Sequence, residues 1–255
     1  MHKIAENLWT LRYPLPLLGA KLGRTVTVIR LASGKLVIHS TAPFPTEELA
    51  AIRELGEPGW LVDATRFHDS YAKEGRRAFP TLPYLAPEGF EEVSGVDTQP
   101  LHPPPEEWTG QLEVIPLRGV PKVLEHVFVH LPSRTLIVCD LLFNLAERER
   151  RGCVPVAHLA AGDANERHAP RHDRPSWTRV FARYVMRLRD GVGMSFFLRK
   201  MIRDEAAFVE SVADVLARDF DRVVVGHGEI IVAGGKAKLR QVLARHWPQL
   251  AERGV

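Results

Sequence analysis

Three polar side chains stand where apolar, strand-like runs end. His68 lies just past residues 60–65, Asp140 closes the run 135–139, and His227 sits between Gly226 and Gly228 after 223–225. Carboxyl ends of strands are where α/β sheets collect ligands. Two imidazoles and one carboxylate suffice to hold a divalent metal ion that keeps positions open for water. Each residue also has a plain structural role. His68 can cap the following helix, Asp140 can bond loop amides, and His227 can fill a glycine turn. Three polar groups at three strand ends favour a shared site. Other chemistry finds no footing. Residues 193–197 lack the second glycine of a G-x-S-x-G elbow, and Gly234-Gly235-Lys236 is followed by Ala237, with Ile230 at a phosphate loop's first glycine position. There is no H-E-x-x-H and no C-x-x-C.

The elements that must carry these residues are legible as periods. Residues 24–32 and 35–39 are β-branched and partly alternating, and Ser33-Gly34 between them predicts a hairpin. A helix opens at Pro45 or Thr46, with Glu47 and Glu48 in its first turn, and Gly56 stops it. Strands follow at 59–65, 112–117, 124–130 and 134–140. Trp177, Val180, Phe181, Tyr184, Val185 and Leu188 form the apolar stripe of an amphipathic helix, with Arg179, Arg183 and Arg187 opposite. Asp204 caps a helix whose Phe208, Val212, Val215 and Leu216 face inward, 222–226 is a strand, and 236–247 is a closing helix. Interleaved strands and helices with frequent hairpins predict mixed sheets in an α/β or α+β layered sandwich.

Composition bounds the function. The 255 residues are 45% hydrophobic and 25% charged, which suits a globular chain with a sizeable core. No apolar run approaches the roughly 20 residues that span a bilayer. Residues 1–23 are broken by Arg12, Pro14 and Pro16 and are not read as a signal peptide. Two cysteines, Cys139 and Cys153, make no disulfide framework and indicate a reducing, cytoplasmic setting. The net charge of +3 conceals a segment, 165–203, that carries +7 on a body of −4. Such asymmetry points to an anionic partner. Aromatics at 8% with no stacking platform argue against nucleic acid. Trp177 and the stretch 194–201 can make a homodimer surface or cover the protein's own core.

The order of 37–41, a helix, Leu61-Val62-Asp63-Ala64-Thr65-Arg66-Phe67-His68-Asp69, 136–143 and Val223-Val224-Val225-Gly226-His227-Gly228 resembles the metallo-β-lactamase superfamily. Within it, 132–140 and 220–228 are similar to a branch known only as a domain of unknown function. The resemblance implies an αββα four-layer sandwich over one domain, 1–255, with 147–203 as a basic, largely helical insertion or lid. It also exposes departures. The superfamily's T-H-x-H-x-D-H stretch falls on residues 65–71, where Arg66, Ser70 and Tyr71 replace donors and His68 is kept. The histidine of G-H-T becomes Val120, and the aspartate of the strand-end D-T-G becomes His39; Asp140 and His227 remain. Three of seven positions are too few for two ions. The expectation is at most one divalent ion, zinc or iron, on His68, Asp140 and His227, with Asp69 as fourth ligand or general base. His39 and Arg66 would be outer partners or alternative ligands, Arg66 lying in the old first-metal pocket beside Asp69 and Asp140. Arg179, Arg183 and Arg187 would draw in an anionic small molecule. Three classes follow: a metal-dependent hydrolase, a metal-free binding descendant of the fold, and a binder of nucleic acid or an anionic surface.

Overall fold

The structure, a computed structural model, describes residues 1–145, 177–188 and 191–251. The chain opens with β1 (His2–Ala5), β2 (Leu8–Tyr13), a small hairpin of β3 (Pro16–Leu17) and β4 (Ala20–Lys21), then β5 (Arg24–Arg30) and β6 (Lys35–His39). Helix α1 (Thr46–Leu55) leads to β7 (Glu57–Val62), a 3-10 turn over Arg66–Tyr71, α2 (Ala72–Ala78), β8 (Tyr84–Ala86), α3 (Phe90–Ser94) and β9 (Gln99–Pro100). These strands, save the β3–β4 hairpin, form one sheet in the order β1-β2-β5-β6-β7-β8-β9, antiparallel as far as β6 and parallel beyond it. Next come β10 (Leu112–Pro116), β11 (His126–His130), β12 (Thr135–Val138) and β13 (Phe143–Asn144). The remainder comprises α4 (Trp177–Val180), β14 (Val192–Gly193), α5 (Phe196–Met201), α6 (Glu205–Ala217), β15 (Arg222–Val225) and α7 (Gly235–Ala244). The second sheet runs β10-β11-β12-β15, with β12 and β15 parallel.

Strand alternation produces the layering, because successive side chains point to opposite faces. On the first sheet Val26, Val28, Leu36 and Ile38 pack with Ile52, Ala72 and Phe90 of the outer helices. Ile29, Val37 and Val62 turn the other way and meet Phe128, Ile137 and Val224 of the second sheet. The outer face of that sheet, with Val127, Leu136 and Val223, is covered by Phe208, Val212 and Leu216 of α6 and Leu239 and Leu243 of α7. Three apolar interfaces between four layers make the expected αββα sandwich. The Asp204 side chain accepts from Ala207 N at 3.0 Å and caps α6 as its sequence implies.

Two local expectations change. The strand expected at 59–65 ends at Val62, because Asp63 and Thr65 turn their side chains to hydrogen bonds with Thr41 and the Val123 carbonyl and release the chain into the turn carrying His68. The helix expected through Leu188 stops at Val180 and continues as a π turn over Phe181–Val185. A π turn advances the face by a residue. Consequently Phe181, Ala182, Met186 and Leu188 are buried against Leu22 and Phe143, while Trp177 and Tyr184 are 52% and 69% exposed. Residues 147–176 of the expected insertion lie outside the described residues.

Candidate metal centre

His68 is aimed by a tight turn. The Thr65 hydroxyl caps that turn and donates to the Val123 carbonyl at 3.0 Å, and Arg66 N–H donates to the same carbonyl at 3.0 Å. His68 itself takes φ −97°, ψ 30°, a bridge conformation that breaks the helical turn and directs the ring inward. His227 follows β15 through Gly226, where a Cβ would stand 3.0 Å from Cys139 Cα and 3.1 Å from His68 Cε1. Asp140 follows Cys139, and the buried Glu125 carboxylate accepts from both of their amides, at 2.8 and 3.0 Å.

The three side chains converge: their donor atoms lie within 4.8 Å of one another. His68 Nε2 and His227 Nε2 are 3.2 Å apart. Asp140 Oδ1 is 3.7 Å from His227 Nε2, and Oδ2 is 4.0 Å from His68 Nε2. His227 Nδ1 contacts the Gly23 carbonyl at 2.7 Å, and since a carbonyl only accepts, Nδ1 carries the proton and Nε2 presents its lone pair. Phe143 stacks on that ring at 5.2 Å and 14°. Both imidazoles are nearly inaccessible, whereas the Asp140 side chain remains 15% exposed.

Burial governs the electrostatics. It presses His227 down to about 4 and His68 well below its usual range, with the nearby Arg24 charge acting in the same direction. Burial raises Asp140 to about 6, opposed by Arg24. Glu125 is pushed up to about 8 by burial and then by the Asp140 charge. Asp140 Oδ2 is buried without a hydrogen-bond partner, as a group awaiting an ion would be.

The remaining candidates are placed differently. Asp69 is half-buried on the same turn as His68 but outside the donor group, as is His39. His39 packs edge-on against Phe128 at 4.8 Å, and neither ring nitrogen has a partner. Arg66 is held by other partners. Its backbone is pinned to Val123, and its guanidinium lies over Gly89 and reaches Glu92 at 3.4 Å. The buried guanidinium of the site is instead Arg24, 1% exposed, from the start of β5. Sequence reading missed Arg24 and Glu125; a charged residue opening a β-branched run looks like a solvated strand end. Arg179, Arg183 and Arg187 are exposed, Arg183 lying 5.7 Å from the Tyr184 ring centre and Arg187 4.1 Å from that of Phe196.

The chain is thus an αββα sandwich with two imidazoles and a carboxylate, at strand ends, that could hold one metal ion. No family model matches the chain, and no curated protein is significantly similar to it. Solved structures are similar over nearly its whole length. A metallo-β-lactamase from Erythrobacter litoralis with β-mercaptoethanol in the active site has a TM-score of 0.59 at 10% identity, covering 95% of each chain. FIM-1 from Pseudomonas aeruginosa in its mono-zinc form has a TM-score of 0.53 at 12% identity, covering 98% of this chain and 95% of its own. One from Hirschia baltica has a TM-score of 0.53 at 11% identity, covering 93% and 95%. The chain has the metallo-β-lactamase fold.

Proposed function

We propose that the protein is a hydrolase that uses one divalent ion, zinc or iron, held by His68, Asp140 and His227, and acts on a small anionic substrate. The observation that carries this reading is the convergence of the three donors, above all the 3.2 Å between the two Nε2 atoms. Two ligands at about 2.0–2.2 Å from a tetrahedral ion stand roughly 3.3 Å apart, so the imidazoles already have chelating separation. Three protein ligands leave a coordination position open, which distinguishes catalytic from structural sites. A bound ion supplies Lewis acidity for hydrolysis. The chain supplies the rest. Gly23 sets the His227 tautomer, Glu125 holds the Asp140 backbone, and Phe143 shields one face of the His227 ring. Asp69, beside His68, is the carboxylate assigned to accept a proton. Arg183 and Arg187 are exposed on the 177–188 segment, whose Phe181 packs with Phe143 beside His227, which suits an anionic substrate.

A second ion is not part of this reading. Val120 is buried in the apolar core, the Tyr71 hydroxyl donates to the Pro14 carbonyl at 2.6 Å, and Arg66 faces Glu92. One observation favours a metal-free binding protein instead: 3.2 Å also suits a hydrogen bond from His68 Nε2–H to His227 Nε2. Metal analysis of protein purified without chelator separates the two. The expected content is close to one ion per chain, removable by chelator, and Asp140→Asn or His227→Ala lowers affinity by at least roughly 100-fold together with any turnover of chromogenic anionic esters. Protein that takes up no metal on reconstitution refutes the hydrolase reading, and close to two ions per chain refutes the single site. The buried, unpaired Cys139 suits the reducing cytoplasm we assign, and among the described residues no helix is long and apolar enough to cross a membrane.

A further inference from the structure

We infer that Gly23-Arg24-Thr25, at the start of β5, is the device that registers the two histidines against each other, with Arg24 as its positioning residue. The inference rests on the metal-centre reading above. His68 comes from the turn after β7 in the first sheet, and His227 from the turn after β15 in the second. Their separation therefore depends on whatever ties those turns together. Three consecutive residues do so, one hydrogen bond each. Gly23 offers its carbonyl to His227 Nδ1 at 2.7 Å, Arg24 Nη2 donates to the His68 carbonyl at 2.9 Å, and Thr25 N–H donates to the Gly226 carbonyl at 2.9 Å.

Arg24 does more than touch His68. The same Nη2 donates to Asp63 Oδ1 at 2.8 Å, so one nitrogen bridges the two ends of the Asp63–His68 segment. Asp63 is fully buried and is itself fixed by the Thr41 hydroxyl at 2.7 Å and by the Tyr84 hydroxyl. The anchor is therefore rigid at its far end. A buried ion pair is seldom the most stable filling for a core, since desolvating both charges offsets much of their attraction. Here it has a second use, holding a ligand's backbone. Gly23 at φ +73° delivers its carbonyl to His227 from a conformation that other residues adopt only with strain. Partners that orient ligating histidines from behind are worth roughly 10- to 100-fold in metal affinity.

The test measures Zn²⁺ affinity by chelator competition and the visible spectrum of the Co²⁺-loaded protein, which reports ligand geometry. Arg24→Met is expected to weaken Zn²⁺ binding roughly 10- to 100-fold and to shift the Co²⁺ bands. Arg24→Lys keeps the charge but not the two-way bridge and is expected to recover only part of the affinity. Because Arg24→Met strands Asp63 as a buried charge, Arg24→Met/Asp63→Asn is measured beside it, with circular dichroism reporting the fold. Surface Arg134→Met, which breaks only an exposed pair with Asp219, is expected to change nothing. Wild-type affinity and an unshifted Co²⁺ spectrum in any folded Arg24 variant overturn the proposal. If the wild-type protein binds neither ion, the metal-centre reading fails separately, and imidazole ¹H–¹⁵N spectra of the metal-free protein decide the positioning role. One tautomer for each histidine in the wild type, lost for His68 in an Arg24 variant, supports it; identical spectra overturn it.

Discussion

At the scale of single residues, the site separates imidazoles that join the donor group from one that is buried outside it. His39 is the clearest case. It is 2% exposed, burial lowers its pKa to about 3, and neither nitrogen is hydrogen-bonded. A buried polar group without a partner is destabilising, by about 1–3 kcal/mol on mutational scales. His39→Leu, close in volume, is therefore expected to stabilise the protein by about 1–2 kcal/mol and to leave metal content unchanged. Urea unfolding with parallel metal analysis checks this. A fall in metal content would make His39 a ligand and contradict the three-donor assignment.

At the scale of elements, the strand-to-turn junctions do the positioning, and they do it with backbone contacts. The Gly226-His227-Gly228 turn is threaded between β12 and β13. Asn144 N–H donates to the His227 carbonyl at 3.3 Å, Glu229 N–H donates to the Asn144 carbonyl at 2.7 Å, and Arg12 donates to the Gly228 carbonyl. Gly228 has φ +106°, and a Cβ there would run into the Asn144 carbonyl. Gly228→Ala must move β13 or the turn. It is expected to cost about 3 kcal/mol and to weaken metal binding, because His227 moves with it. A variant with unchanged unfolding midpoint and metal affinity would show that the turn is not constrained as described.

At the scale of the whole molecule, burial of so many titratable groups makes stability depend on pH in two opposed ways. Burial lowers five histidines from their ordinary 6.5: His39 to about 3, His126, His130 and His227 to about 4, and His68 well below. Below pH 6.5 the unfolded chain binds protons that the folded one refuses, so this contribution is present above 6.5 and lost as pH falls toward 4. Glu125, raised to about 8, Asp140, raised to about 6, and Asp63, raised in direction, act oppositely. The folded state keeps their protons while the unfolded chain releases them, so the Asp140 contribution is lost as pH rises toward 6 and that of Glu125 as it rises toward 8. Histidines outnumber carboxyl groups below 6.5, and Glu125 acts above it. Metal-free stability is expected to peak near pH 6.5, read as the urea midpoint from pH 5 to 8.5. A midpoint climbing steadily to pH 8 would refute the assignment of the buried carboxyl groups.

Local order was legible in the residues themselves. The hairpin of β5 and β6, helix α1 with its early glutamates, α6 behind its Asp204 cap, and β15 all follow from periods and caps that act within a few residues. The three donors were legible for the same reason, since each marks the end of an apolar run. Which neighbours join them was decided only by the tertiary structure. Arg66 and Asp69 share a turn with His68, yet neither joins the donor atoms, because contacts to Val123 and the Arg24 bridge set that turn's direction. Arg24 enters from a strand more than forty residues away, as does Gly23 to reach His227. The stripe through Trp177 and Tyr184 fails likewise, since a π turn shifts the buried face in answer to Leu22 and Phe143. Strands β1, β2, β8 and β9 were not anticipated, being short or held by pairing rather than by pattern. Periodicity reports which elements form; where a side chain points at the end of one depends on contacts with distant parts of the chain, and those exist only once the layers have packed.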